Sequence, residues 1–411
     1  MNVQKLVGAN TPQRLWCISE PITPKAWEAA IEIAQRAAPW PFAAPLPMDE
    51  LLEATLGEGQ FGPRRYTLGR TKAIYYSFVR PILPSSLRPL IRRVSRHGAR
   101  TDFPLGWPIE DRYVRFQYDV LSALLDLHQE DSLTMRWFWP DDGEFALCLT
   151  HDVEGEAGHD FVPALMDLEE QLGFRSAFNF VPGEYTVDPG LLQEVKRRGF
   201  EIGVHGYRHD GKLFRSHDAF AATAPRINEI LHRWGATGFR SPLTHRHPVW
   251  MQALDIEYDL SYFDTDPFEP MAGGTMSIWP FLLGRFVELP YTLPQDHTIF
   301  EMGERSPRIW QEKVRFIRAH HGLALVNVHP DYMREPGNLA VYAEFLSWLN
   351  EERTFWHAIP RDIARRWRLR SFGEAAATNS EWRRVTRHNG GIALKPIHRA
   401  DAIVDAQQSH P

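Results

Sequence analysis

The segment Thr150-His151-Asp152-Val153-Glu154-Gly155 places two carboxylates two residues apart, directly after the apolar run 145–150. Beyond the end of a buried strand, one such carboxylate is suited to gripping a metal ion while the other moves protons. A second signal is His205-Gly206-Tyr207-Arg208-His209, which follows another apolar run. Imidazoles at i and i+4 on one face of a helical turn can both reach one divalent ion. The stretch Gly238-Phe239-Arg240-Ser241-Pro242 offers an arginine able to hold a neighbouring carboxylate and keep it ionised. Last, the apolar run 323–328 ends in His329-Pro330-Asp331, an imidazole placed for general acid work near neutral pH. Each signal alone has an ordinary reading: an acidic strand end, a close pair in a chain of 18 histidines, a surface salt bridge, a satisfied core histidine. In this order, each after a successive strand, they form a set. Two histidines and a carboxylate make a three-ligand site with positions left for water and substrate. A second carboxylate would deprotonate that water and a histidine would protonate the leaving group, which describes hydrolysis of an amide or ester.

These residues need elements that end at a common place. From residue 143 onward, short apolar runs alternate with amphipathic stretches of helical period. The runs 145–150, 176–181, 201–204, 238–241, 258–262, 286–289 and 323–328 read as strands, with a short closing strand at 355–359. Between them, 161–173 and 188–199 read as helices closed by Gly173 and Gly199, followed by helices at 219–234 and about 339–349. Strand and helix in alternation imply parallel strands with right-handed crossovers. About six or more units in this length suit an α/β fold of the closed parallel β/α-barrel kind, with a doubly wound open sheet as the alternative. Either way, the segments just after each strand are where chemistry collects.

In this order the motifs resemble the polysaccharide deacetylase (NodB-homology) family, whose members fold as an irregular, seven-stranded β/α barrel. The resemblance covers about residues 143–368. The segment Leu149-Thr-His-Asp-Val-Glu-Gly155 stands where the family has T-F-D-D and is similar to its D-x-D/E variant. This implies Asp152 as catalytic base and Glu154 as metal ligand, the two roles being exchangeable. His205-Gly-Tyr-Arg-His209 stands for H-S/T-x-x-H and implies two histidine ligands, with Tyr207 beside the substrate. Arg240-Ser-Pro242 matches R-x-P, implying that Arg240 positions the base and Pro242 lines the substrate site. The fourth motif is matched only loosely, by Tyr258-Asp-Leu-Ser-Tyr-Phe-Asp-Thr-Asp266, with Asp264 and Asp266 as candidates. Val326-Asn-Val-His-Pro330 implies His329 as the acid. The resemblance implies one divalent metal, zinc by its donor set, although cobalt, nickel, manganese and iron accept similar ligands. It also implies an acetylated glycan or amino-sugar substrate. Departures in the first two motifs are shared with relatives that resemble cyclic-amide hydrolases, so ring opening of a cyclic amide or ureide stays open. So does glycan binding without catalysis, since Val153 replaces the second aspartate. The segment 287–300 resembles an extra strand and loop of the cyclic-amide branch.

The rest of the chain sets limits. Charged residues are 24% and hydrophobic residues 43% of 411, as in a globular protein with a sizeable core, and a net charge of −6 argues against nucleic acid as the main partner. Two cysteines make no disulfide framework or thiolate site, and no apolar run has the length of a signal peptide or membrane span. A cytoplasmic location is therefore expected. Residues 1–142 read as a helical, Pro-rich extension, 143–368 as the barrel, and 369–411 as a polar, partly disordered tail. Between 70 and 100, eight basic residues interleave with aromatic and aliphatic ones and no acidic residue intervenes. Such a segment suits peripheral contact with an anionic membrane or acidic polymer, or a helical buttress against the barrel.

Overall fold

The computed structural model describes residues 2–68, 103–128, 131–373, 381–388 and 391–396. The basic segment 70–100 lies outside the described residues. Among the described residues, no helix is long and apolar enough to cross a membrane.

Among the described residues, twelve strands form two sheets: β1 (Ser132–Arg136), β2 (Phe145–Val153), β3 (Ala177–Phe180), β4 (Glu201–His205), β5 (Gly238–Arg240), β6 (Tyr258–Asp259), β7 (Phe281–Leu283), β8 (Phe286–Glu288), β9 (Leu323–Val328), β10 (Phe355–His357), β11 (Trp382–His388) and β12 (Gly391–Pro396). The larger sheet runs β10-β2-β3-β4-β5-β6-β8-β7, with β9 on β2. All its pairings are parallel except the β7–β8 hairpin. Strands of a parallel sheet are commonly covered on both faces, and all nine residues of β2 are buried. That length lets β2 pair with β9 along one edge while β10 (Phe355↔Phe145) and β3 (Thr150↔Ala177) follow each other along the opposite edge. Beyond β8 the chain curls back to β9: Thr292 and Leu293 N–H donate to Leu325 O at 3.1 and 3.0 Å, and Leu325 N–H donates to Thr292 Oγ1 at 3.0 Å. The result is a curled, mostly parallel barrel. Within the segment 287–300, which resembles an extra strand and loop, residues 287–288 belong to β8 and residues 289–293 supply this closing contact as irregular chain.

Crossover helices begin and end where local chemistry dictates. Helix Pro189–Arg197 is capped by Asp188, which accepts from Gly190 N at 2.9 Å. Helix His217–Trp234 is capped by Ser216 and stopped by Gly235 at φ 59°.

The N-terminal helices Val3–Val7, Pro12–Trp16, Pro24–Ala37, Met48–Ala54 and Arg112–His128 share one hydrophobic core with the barrel. Trp16 is fully buried, packs edge-on against Trp279 at 6.3 Å, and donates its indole N–H to Gln117 O. Asn10 closes the open edge of β7: Leu282 N donates to Asn10 Oδ1 (2.7 Å) and Asn10 Nδ2 donates to Leu282 O (2.8 Å). A side-chain amide thus stands in for a further strand.

The C-terminal residues differ from the expected polar tail. Helix Pro360–Phe372 runs past residue 368, and β11 and β12 form a hairpin that pairs with β1 through Leu133↔Val385. The period of 2 was hidden because an arginine occupies an inward position. Arg383 is buried, lies 4.5 Å over the Trp137 ring and pairs with Asp142 at 2.6 Å. Arg370 is similarly buried, donating to the carbonyls of Leu15, Arg136 and Trp137. Burial lowers its pKa to about 10.

Glu58 and Arg246 form a fully buried ion pair between the N-terminal helices and the loop after β5. Gly274 N also donates to Glu58 Oε1 at 2.8 Å. Removing one partner leaves the other charge stranded in the core, so Glu58→Ala is expected to cost about 3–5 kcal/mol in urea unfolding. A loss below about 1 kcal/mol would mean that water reaches the guanidinium, contrary to its burial.

Candidate active site

Parallel strands bring their carboxyl ends to one face, and the register aligns the side chains there. Asp152 pairs across β2–β3 with Asn179, and His205 pairs across β4–β5 with Arg240. Asn327 lies opposite Thr150 on β9, one residue pair below the rim.

Asp152 is 3% exposed and accepts from Asn179 Nδ2 at Oδ1 (3.0 Å) and from Asn327 Nδ2 at Oδ2 (2.8 Å). Arg240 Nε lies 3.6 Å from Oδ1, and Arg240 Nη2 donates to Thr150 Oγ1 at 3.2 Å. Burial alone would raise the Asp152 pKa, but Arg240, His205, His329 and Asn327 outweigh it and hold the carboxyl at about 2. Arg240 is therefore an ionic neighbour of Asp152 and not a bidentate partner. Asn179 fits between strands because Gly203 faces it; a Cβ on Gly203 would collide with the Asn179 amide.

Glu154, His205 and His209 converge, each offering a donor atom within 4.8 Å of the others. Glu154 Oε1 is 2.9 Å from His209 Nε2. His205 Nδ1 donates to Arg240 O at 3.1 Å, which fixes the tautomer and leaves the lone pair on Nε2. That buried Nε2 makes no hydrogen bond, and burial lowers the ring's pKa to about 4 despite Asp152 nearby. A neutral imidazole with an unmatched lone pair beside a carboxylate and a second imidazole is the donor set that zinc and similar divalent ions take. Of the two acidic residues in the first motif, Glu154 is the one that shares this cluster.

The two histidines do not sit on a helical turn. His205 ends β4, Gly206 turns the chain at φ 65°, and His209 lies in the following loop. A left-handed residue breaks the helical path that i, i+4 spacing suggests, yet the rings still approach to 5.3 Å.

His329 faces this cluster, with Nε2 at 3.7 Å from Glu154 Oε1. Its Nδ1 bonds Asp296 Oδ1 at 2.7 Å, and its N–H donates to Asp296 Oδ2 at 2.7 Å. Burial would lower its pKa, but Asp296, with Glu154 and Asp152 behind it, raises it to about 10. An ionised carboxylate and a protonated imidazole thus flank the three-donor cluster.

The structure brings Asp152, Glu154, His205, His209, Arg240 and His329 together. Pro242 packs on Gly206 beside the cluster. The contacts of Tyr207 are elsewhere: its carbonyl accepts from Gly183 N, and Arg226 lies 5.7 Å over its ring. Asp264 bonds Lys313 Nζ at 2.8 Å in the core, and burial lifts its pKa to about 6 against that lysine. It is committed to this pair and not presented to a substrate. Asp266 is buried and accepts from Phe268 N at 2.8 Å, turning its own loop. Sequence reasoning passed over Asn179, Asn327 and Asp296. Asn327 had a visible signal, as the one polar residue inside the run Leu323–Val328. Asp296 opens helix Asp296–Glu301 and carries no spacing that links it to His329.

No family model and no curated protein matches the chain. Among solved structures, it is similar to a protein assigned as a polysaccharide deacetylase from Mycobacterium smegmatis, with 19% identity and a TM-score of 0.47 over 57% of this chain and 93% of that one. A protein with the same assignment from Pseudomonas aeruginosa PAO1 aligns with 17% identity and a TM-score of 0.46, over 56% and 93%. An allantoinase structure aligns with 16% identity and a TM-score of 0.44, also over 56% and 93%.

The full chain is expected to take up close to one equivalent of zinc or cobalt. His205→Ala and His209→Ala should each weaken uptake by more than the roughly 10–100-fold that loss of an outer partner costs. Metal analysis and calorimetric titration read this directly. Undiminished uptake in both variants would place the ion elsewhere.

Proposed function

We propose that the chain is a metal-dependent hydrolase that removes acetyl groups, N-acetyl in particular, from amino sugars of a glycan. The observation that carries this reading is the three-donor cluster Glu154–His205–His209 flanked by Asp152 and His329. A divalent cation held by those donors would polarise the amide carbonyl and acidify a bound water. Asp152, ionised at neutral pH, would take a proton from the attacking water at Oδ2, the carboxylate oxygen 3.9 Å from His205 Nε2. Arg240 and the amides of Asn179 and Asn327 keep that carboxylate charged and oriented. His329, charged by Asp296, is placed to give its Nε2 proton to the departing nitrogen. Peripheral membrane or polymer contact through 70–100, a cytoplasmic location and a domain boundary near 142 belong to this proposal as expectations, each to be tested separately.

Acetate release from N-acetylglucosamine oligomers is the direct test, with Asp152→Asn expected to lower kcat by about 10²–10⁴-fold. Ring opening of a cyclic ureide without acetate release would move the substrate to cyclic amides on the same residues. A second check uses pH. His329 is protonated up to about pH 10 because of Asp296. Asp296→Asn removes that charge, so the alkaline limb of kcat/KM is expected to move to lower pH by about 1–3 units. An unmoved limb would remove His329 from the role of acid.

A further inference from the structure

Asp152 stands at one end of a buried row of side-chain amides whose far end is a carboxyl group. Asn327 Nδ2 donates both its hydrogens, one to Asp152 Oδ2 at 2.8 Å and one to Gln295 Oε1 at 2.9 Å. Gln295 Nε2 in turn donates to Glu269 Oε1 at 2.7 Å, and Thr244 Oγ1 lies 3.2 Å from Glu269 Oε2. All four of these acid and amide side chains are at most 4% exposed. The sense of the row follows from the chemistry of its members. A carboxylate only accepts, so Asp152 requires the NH2 of Asn327, whose second hydrogen then requires the oxygen of Gln295. That leaves the NH2 of Gln295 for Glu269. Turned the other way, Gln295 would set its NH2 against the NH2 of Asn327 and its oxygen against Glu269. Asn327 would escape that clash only by rotating its own oxygen toward Asp152. The outer end is anchored, because Thr244 O accepts from Arg246 Nη1 at 2.7 Å and Arg246 is the partner of Glu58.

We propose that Gln295 and Glu269 are positioning residues for Asp152, acting through Asn327 and touching neither metal donor nor substrate. The inference rests on the reading of Asp152 as the base. Glu269 supplies an acceptor, Gln295 transmits it with a fixed sense, and Asn327 presents N–H to the carboxylate edge that must also meet water. This role differs from packing, because it depends on an acceptor at position 269 and a matching amide at 295, not on volume.

The test is kinetic, on folded full-length protein, with N-acetylglucosamine oligomer as substrate. Gln295→Met, close in shape but unable to accept or donate strongly, is expected to lower kcat about 10–100-fold with KM within about twofold. Glu269→Leu should do the same, whereas Glu269→Gln, which keeps an acceptor oxygen, should stay within a few-fold of the parent. Parental kcat in Gln295→Met, or equal losses in Glu269→Gln and Glu269→Leu, would overturn the proposal. Asp152→Asn in the same assay separates the two layers. Activity retained there removes Asp152 as base, whereas activity lost there but kept in Gln295→Met removes only the relay. A crystal structure of Gln295→Met supplies a readout free of any substrate. Asn327 is expected to leave Asp152, with its nearest contact beyond about 3.5 Å, and an unchanged Asn327–Asp152 bond would refute the role assigned to Gln295.

Discussion

A carboxylate ionised inside a protein is the constraint around which this barrel is arranged. Taking Asp152 out of water would neutralise it unless other groups replace the lost hydration. Here the replacement comes from separate strands: Asn179 on β3, Arg240 on β5 and Asn327 on β9. No local segment could supply these donors. A parallel sheet can, because its register fixes which residues of successive strands lie side by side at one rim. The same register explains the glycine at 203, since the Asn179 amide occupies the space a side chain would need.

The imidazoles around Asp152 show one residue type taking opposite states through different neighbours. His205 donates to a backbone carbonyl and is buried, so it stays neutral with its lone pair exposed to the cluster. His329 bonds the Asp296 carboxylate through the same ring position and is held protonated. His151, one residue before Asp152, points away from the rim and bonds Glu169 at 2.8 Å, within a buried group that includes Ser176 and Tyr342. Alternation along β2 sends 151 and 152 to opposite faces. Neighbouring polar residues in one motif thus divide into one for the site and one for the wall behind it.

Much of this was legible from the chain because strand ends leave a strong signature. Apolar runs at 201–204 and 323–328 end abruptly in histidine, and the observed strands Glu201–His205 and Leu323–Val328 lie where those runs predict. Legibility failed where the information is three-dimensional. Asp296 and His329 are 33 residues apart, and only the fold makes them partners. Asp264 was a candidate through the loosely matched fourth motif, but Lys313, on the helix Arg308–Ala319, pairs with it from 49 residues away. The hairpin of β11 and β12 was obscured for a different reason. Its inward positions include Arg383, whose apolar stem and cation–π contact serve as core while its composition reads as surface.

The boundary near residue 142 marks a change of sequence pattern, yet the physical interactions cross it repeatedly. Glu58 from the N-terminal part neutralises Arg246, which holds Thr244 O; Thr244 Oγ1 in turn reaches Glu269. Nearby, Thr265 Oγ1 bonds Gly106 O and Phe268 packs edge-on against Trp107 at 5.2 Å. The loops that follow β5 and β6 are therefore shaped as much by residues 57–66 and 103–110 as by the barrel that carries them. Without Glu58 the buried Arg246 would have no carboxylate partner at this loop. The N-terminal part is best regarded as the outer support of the rim that carries the Glu154–His205–His209 cluster: its acid at 58 pairs with the arginine that holds the loop next to the buried amide row.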